Sequence, residues 1–353
     1  MQKSVLKTFT SLCLLSVLAL TAVGCKKETT NSQSKVSNEV EPATVRAQFV
    51  SPQMTLAGVF GAIQQGYFDD QQLTVEMMFS NVVETAETLD VIDRVTSGEA
   101  DFGLTSGDNL LQARQRGDDV VALMAIYQRD PTAVITLANK NITQPEDLVG
   151  KKLLVFSRSI SLSLFLAAVG IDPSDVTIVD PPEGNINAGL GLFLTGQVDG
   201  MVATGTDASV QMTAIGIEHN LLFFNDYGVQ MYPNVIFTTR SMIESQPGVV
   251  QRFVNALLDG LHYAISQPQE IATWFVENYA DQLRPDQLDS QEAVMLAIIP
   301  LIQSPDTQAG MMSADVWEYV ANGMANAGLI QDTVGYSQAF TTQFVDAYYS
   351  QQP

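Results

Sequence analysis

Gly98–Val134 reads GEADFGLTSGDNLLQARQRGDDVVALMAIYQRDPTAV, and the fold is decided here. Asp101–Ser106 (DFGLTS) is short and apolar, as a strand should be. Ser106-Gly107-Asp108 supplies helix-start chemistry, and Asn109–Arg116 carries Leu110, Leu111 and Ala113 at helical spacing until Gly117 stops it. Val120–Tyr127 (VVALMAIY) is a nearly unbroken apolar run, the pattern of a strand buried on both faces. Strand, turn, helix and strand together predict an open α/β sheet, in which ligands lie beyond the carboxyl ends of the strands. Thr105, Ser106, Asp108, Tyr127 and Gln128 fall at such ends and are candidate ligand contacts.

Upstream, Val45–Val50 reads as a first strand, broken by Ser51-Pro52, with Thr55 a candidate contact in the loop that follows. Leu56–Tyr67 is a helix with Val59, Phe60 and Ile63 on its apolar face, and Phe60 is open to two readings, core or ligand wall. Thr74–Phe79 is a second strand and Glu87–Ala100 an amphipathic helix, so the alternation predicts a parallel sheet wound with helices. Downstream, Pro131–Leu137 crosses to a second βα series. Its strands are Lys152–Ser157, Val176–Val179, Val198–Ala203 and Leu221–Asn225, and its helices Ser159–Val169, Asn187–Leu194 and Asp207–Ile215. Asn234–Thr239 then carries the chain back. The expected organisation is two α/β lobes joined by two crossover strands, residues 45–135 with 236–353 forming one and 136–235 the other. Beyond Ser241 the pattern is helical. Val250, Phe253, Val254, Leu257, Leu258 and Leu261 make one apolar stripe, Pro268 ends it, and further helices follow at Ala293–Ile302, Ala314–Ala327 and Ala339–Tyr349. These are expected on the outside of the first lobe, with Trp274 and Trp317 in its core.

Composition sets the bounds. A chain of 353 residues, 46% hydrophobic, is long enough for two cores. Its 17 Lys+Arg against 39 Asp+Glu give a net charge of −22, which argues against nucleic acid as a partner. His219 and His262 are the only histidines, and no His-x-x-x-His, Cys-x-x-Cys, Gly-x-Ser-x-Gly, dinucleotide or Walker pattern occurs. Catalysis, a bound metal and a cofactor are therefore not expected.

At the N-terminus Lys3 and Lys7 precede Leu12–Val23, an apolar run too short to span a bilayer, as in a secretory signal peptide over residues 1–24. Thr21-Ala22-Val23-Gly24-Cys25 resembles a bacterial lipobox, which implies cleavage before Cys25 and lipidation of its thiol, with Ala22 standing where leucine is usual. Residues 25–44 then form a polar tether, almost without large apolar side chains. The expected product is exported and held by its lipid on the outer face of the bacterial cytoplasmic membrane.

The second lobe offers its own turns to the gap: Ser157-Arg158-Ser159, Glu183 with Asn185, and Thr204, Thr206 and Asp207. Ser106 and Thr206 read equally as helix caps and as ligand contacts. Tyr127 is the candidate stacking surface, with Tyr227 and Tyr232 behind it. Carboxylates at helix starts suit a ligand bearing N–H or O–H donors, whereas a small anion prefers bare helix N-termini and a cation such as Arg158.

Four pieces in order carry a family resemblance: Gly66–Phe68 with Leu73 and Val75, Gly98 with Ala100–Gly103, Tyr127–Pro131 with Ala133 and Val134, and Asp147–Val155. From about Arg46 to Leu329 the chain resembles the substrate-binding proteins of ABC importers, in the group that carries nitrate, sulfonates, thiamine's pyrimidine precursors and riboflavin. The resemblance implies the two-lobed periplasmic-binding-protein-like (type II) α/β fold with extra C-terminal helices. It also implies a monomeric receptor, a small-molecule ligand, and a permease with its ATPase as partners. A vitamin-like N-heterocycle is the expected ligand, with a small anion (alkylsulfonate or taurine, nitrate, bicarbonate) as the alternative ligand and a ligand sensor as the alternative role. Pyrimidine synthases that resemble these receptors carry a cysteine-rich motif absent here.

Overall fold

A computed structural model of the chain describes residues 41–49, 51–80, 91–156, 160–283, 289–303, 306–333 and 335–351. The expected signal peptide, Cys25, most of the tether, and Ser157, Arg158 and Ser159 lie outside the described residues.

Among the described residues, ten strands form two sheets: β1 Ala43–Phe49, β2 Leu73–Phe79, β3 Phe102–Thr105, β4 Val120–Ala125, β5 Thr132–Leu137, β6 Lys152–Val155, β7 Thr177–Val179, β8 Gly200–Thr204, β9 His219–Phe223 and β10 Val235–Thr239. The first sheet has the order β2-β1-β3-β10-β4 and the second β7-β6-β8-β5-β9. Although β5 follows β4 in the chain it pairs only in the second sheet, and β10, after β9, pairs only in the first. The backbone therefore crosses between sheets twice, once over 126–131 and once over 224–234.

Both sheets are mixed, not parallel as the alternation of elements predicts. β10 runs antiparallel between β3 and β4, and β5 antiparallel between β8 and β9. The cause is topological: a strand arriving from the other sheet enters at the end where its neighbours' strands leave, so it must run against them. The βα-built pairs, β1 with β2 and β3, and β6 with β7 and β8, are parallel.

The first lobe holds helices α1 Ala57–Gln65, α2 Tyr67–Asp70, α3 Val91–Thr96 and α4 Gly107–Arg116. The second holds α5 Ile160–Ala168, α6 Ile186–Leu194 and α7 Gly205–Ala214. After β10 come α8 Arg240–Ser245, α9 Pro247–Ser266, α10 Pro268–Tyr279, α11 Gln291–Ile302, α12 Ala314–Asn326 and α13 Gln343–Ser350. The apolar stripe of α9 faces α1 and the first sheet, with Phe253 stacked on Phe102 at 3.9 Å between ring centres. Gly58, Gly61 and Gly260 let α1 and α9 meet backbone to backbone, since a Cβ on Gly260 would strike the Gly58 carbonyl and the Ala62 amide.

The C-terminal segment reaches further than the outside of the first lobe. α12 packs on α4 and also on α5 of the second lobe, with Gly323 under Leu164. It also bridges a sheet edge: Ala125 donates to the Gly310 carbonyl (3.1 Å) and Ala122 exchanges bonds with Ala339 and Thr341 (2.8 and 3.0 Å), so the outer edge of β4 is covered at these two positions. Among the described residues no helix is long and apolar enough to cross a membrane.

Candidate functional site

The carboxyl ends of β3, β4 and β8 converge where the chain crosses between sheets. β5 starts beside the end of β8, with Thr132 opposite Thr204, and the Gly205 amide donates to the Pro131 carbonyl at 2.8 Å. On the return crossing, the Gly107 amide at the start of α4 donates to the Tyr232 carbonyl at 2.9 Å. The Ile160 amide, at the start of α5, donates across the lobes to Asp108 Oδ2 at 3.4 Å. Helix starts from both lobes thus face one another, and they are packed together. The Tyr127 side chain fills this region with 1% of its surface exposed, its hydroxyl 3.2 Å from Thr55 Oγ1. Burial raises the Tyr127 pKa, with the nearby Asp207 charge adding to it, so the phenol stays protonated and able to donate.

Three carboxyl groups share the region. Asp108 is 2% exposed, and while Oδ2 accepts from Ile160, buried Oδ1 has no partner among the described residues. Asp130, 1% exposed, accepts at Oδ1 from the Thr132 amide (2.9 Å) and hydroxyl (2.6 Å), and its buried Oδ2 likewise has no partner among the described residues. Burial pushes the Asp130 pKa up to about 6 against the pull of Thr132, and the charge on Asp108 adds to the rise. Asp207, in the first turn of α7, takes a 3.2 Å bond from Thr206 Oγ1. Its side chain retains some surface, but the crowding of its carboxyl governs the titration and burial lifts it to about 6. None of the three is ion-paired among the described residues. Chemically this is a wall of acceptors, hospitable to N–H, O–H or cationic groups and repulsive to anions.

The other sequence candidates divide. Thr55, Thr105, Ser106, Asp108, Tyr127, Thr204, Thr206 and Asp207 lie at or beside these strand ends. Ser106 and Thr204 occupy the N-cap positions of α4 and α7 without a side-chain capping bond, which leaves both hydroxyls available. Thr206 lies inside the first turn, so it is no cap and bonds Asp207 instead. Phe60 is fully buried in an aromatic cluster with Trp274, Phe275 and Tyr279, which makes it core. Glu183 and Asn185 follow β7, the edge strand farthest from β5. Both are exposed, and Asn185 caps α6 through the Ala188 amide at 3.0 Å. Tyr227 sets its edge on Phe165 at 5.5 Å, and the Tyr232 hydroxyl accepts from the Ser313 amide at 2.8 Å. Gln128 donates from Nε2 to the Met311 carbonyl at 3.0 Å and borders a cavity of about 750 Å³. That cavity lies beside the two crossovers and not between the helix starts.

Asp130 is the residue that sequence reading missed as a site candidate. Its signal was legible: an acid immediately before Pro131, between the apolar run VVALMA and the largely apolar TAVITL, falls on the crossover itself.

Residues 53–271 match the model of the family described as NMT1/THI5 like. A riboflavin-binding protein of Chloroflexus aurantiacus is 27% identical over 352 residues, covering 95% of this chain and 97% of its own. A formylaminopyrimidine-binding protein of Halalkalibacterium halodurans is 23% identical over 292 residues, 80% and 85% of the two chains. Relatives named as pyrimidine phosphate synthases match over shorter stretches. Among solved structures, the aliphatic sulphonate binding protein SsuA of Escherichia coli superposes with a TM-score of 0.66, covering 88% of this chain and 100% of its own at 14% identity. That likeness establishes the periplasmic-binding-protein fold.

Proposed function

This chain belongs to the NMT1/THI5-like family, and from that premise we propose that it is the substrate-binding receptor of an ABC importer. It takes a small vitamin-like N-heterocycle, a thiamine pyrimidine precursor or a riboflavin-like compound, between its lobes and delivers it to a permease driven by an ATPase. The observation that carries the reading is the convergence of Asp108, Asp130, Asp207 and Tyr127 at the crossovers, with Asp108 Oδ1 and Asp130 Oδ2 lacking partners among the described residues. Such acceptors suit ring N–H and amino groups. Full-length similarity to proteins named for riboflavin and formylaminopyrimidine supports the same ligand class.

In this account the crossovers over 126–131 and 224–234 are a hinge between lobes divided near residues 135 and 236. Ligand shifts the lobes toward closure by as much as it binds the closed form better. The signal peptide and the lipid on Cys25 place the monomeric receptor on the outer face of the membrane. The synthases in the family make an enzymatic role the competing reading, and absence of the cysteine-rich motif weighs against it.

Calorimetric titration with a 4-aminopyrimidine, riboflavin and ethanesulfonate tests the ligand class. The heterocycles should bind and ethanesulfonate should not. Binding of ethanesulfonate alone, abolished in Arg158→Ala, would transfer the assignment to small anions.

A further inference from the structure

The two lobes hold helix α12 in unequal ways. Toward the first lobe it is tied at both ends. Ahead of it the Gly310 carbonyl accepts from the Ala125 amide at 3.1 Å, and the Ser313 amide donates to the Tyr232 hydroxyl on the return crossover at 2.8 Å. Beyond it the Gln331 amide donates to Gln115 Oε1 on α4 at 3.1 Å. Between these ties Trp317 is 1% exposed, stacked on Phe340 at 5.5 Å between ring centres, with the rim of its indole against Gly107 at the start of α4. Toward the second lobe α12 meets α5 through an apolar contact, Gly323 against Leu164.

Gly323 lies in the interior of α12 and is not among the glycines with positive φ, so the backbone does not require it. Glycine weakens a helix interior, and the reason for it here is the neighbour: a Cβ on Gly323 would overlap Leu164 Cδ2. The first lobe also reaches α5 through Asp108 Oδ2, which accepts from the Ile160 amide at 3.4 Å. Ile160 and Leu164 are about one helical turn apart, so both contacts fall on the same stretch of α5. Neither lies on the crossovers over 126–131 and 224–234, so rotation of the lobes about those segments parts them both. Leu164 is buried in the closed arrangement, and parting exposes it to water.

We propose that α12 is a clasp: carried by the first lobe, it seats Gly323 on Leu164 of the second lobe and holds the two lobes closed, and it lets go when they open. This rests on the hinged-receptor reading above and adds the element that sets the balance between open and closed forms. Apparent ligand affinity scales with the closed fraction, so the clasp tunes affinity without touching the ligand.

Small-angle scattering and hydrogen-exchange mass spectrometry of the ligand-free full chain read the open fraction, and urea melts confirm that each variant is folded. Gly323→Leu places a branched side chain on the seat while favouring the helix. The expected result is a larger radius of gyration and exchange about tenfold faster at residues 160–164. Gly323→Ala, which intrudes less, moves both quantities in the same direction by a smaller amount. Adding Leu164→Ala to Gly323→Leu removes the atoms that the new side chain strikes and returns both toward the parental values. Parental scattering and exchange in both glycine variants, or a change that Leu164→Ala does not reduce, overturns the clasp. No ligand enters these measurements, so their failure leaves the receptor reading standing. That reading fails separately if neither riboflavin nor 4-amino-2-methylpyrimidine binds the parent protein in calorimetry.

Discussion

Replacing Asp130 with asparagine should make the protein more stable at neutral pH and remove part of its pH dependence. Asp130 is held at about 6 in the folded chain against an ordinary value of 3.8, chiefly by burial, so the folded state binds its proton more tightly than the unfolded state. The sign follows from linkage: stability falls as pH rises from near 4 to 6 and levels off above, the reverse of a salt-bridged carboxylate. The penalty of keeping the ionised group buried is about 3 kcal/mol at pH 7.5 and about 1.5 at pH 5. The asparagine keeps an acceptor for Thr132 but places an NH2 where Oδ2 now lies, at a cost of about 1–2 kcal/mol if it finds no partner. A net gain of about 1–2 kcal/mol at pH 7.5 remains, shrinking to about zero at pH 5. The groups that act on Asp130 are Thr132, which lowers its pKa, and Asp108, which raises it. Arg129 is turned toward Asp226, and Asn225 bonds the Asp130 carbonyl at 2.6 Å. Urea unfolding of parent and variant at pH 5.0, 6.0 and 7.5 measures the difference directly. Carboxyls with lowered pKa values, such as Asp147 and Asp172, lose their contribution only below the ordinary carboxylate range and do not enter this window. A variant less stable than the parent at every pH, by a constant amount, would refute the reasoning.

Three further outcomes are expected. Tyr127→Phe removes the hydroxyl that meets Thr55 Oγ1 at 3.2 Å and leaves a buried threonine hydroxyl short of a partner, costing about 1–2 kcal/mol in a thermal melt. Tyr127→Ala should weaken a stacked heterocycle by about 1–3 kcal/mol, with base–aromatic stacking as the guide, and unchanged calorimetric affinity would remove Tyr127 from the site. Gly260→Ala forces a methyl into the α1 backbone and should lower stability by about 3 kcal/mol, whereas a parental urea midpoint would contradict the close α1–α9 crossing.

The elements and their order were legible because each has its own local signal. VVALMAIY announced β4, the stripe from Val250 to Leu261 announced α9, and Pro268 marked the break before α10. Strand direction was not legible. Pro131–Leu137 and Asn234–Thr239 read as the two crossovers, but nothing in them reveals that each runs antiparallel to its new neighbours, because register and direction are set by partners distant in sequence. For the site, position at a strand end gathered Thr55, Ser106, Asp108, Tyr127, Thr206 and Asp207, which the fold brings near one another. The same rule admitted Glu183 and Asn185, which follow β7, three strands from β5, since sequence order does not disclose order in the sheet. The path of α12 onto the second lobe was equally hidden: its apolar face, with Trp317, Val320, Ala321 and Met324 buried, reads the same whether it covers one lobe or two.

Native mass spectrometry of the purified protein, incubated with equal concentrations of riboflavin, 4-amino-2-methylpyrimidine, taurine and ethanesulfonate, puts the receptor assignment to its most direct trial. An adduct at the mass of riboflavin or of the aminopyrimidine, diminished in Asp207→Asn and Tyr127→Ala, is the predicted spectrum. An adduct of taurine or ethanesulfonate that survives both substitutions would contradict it.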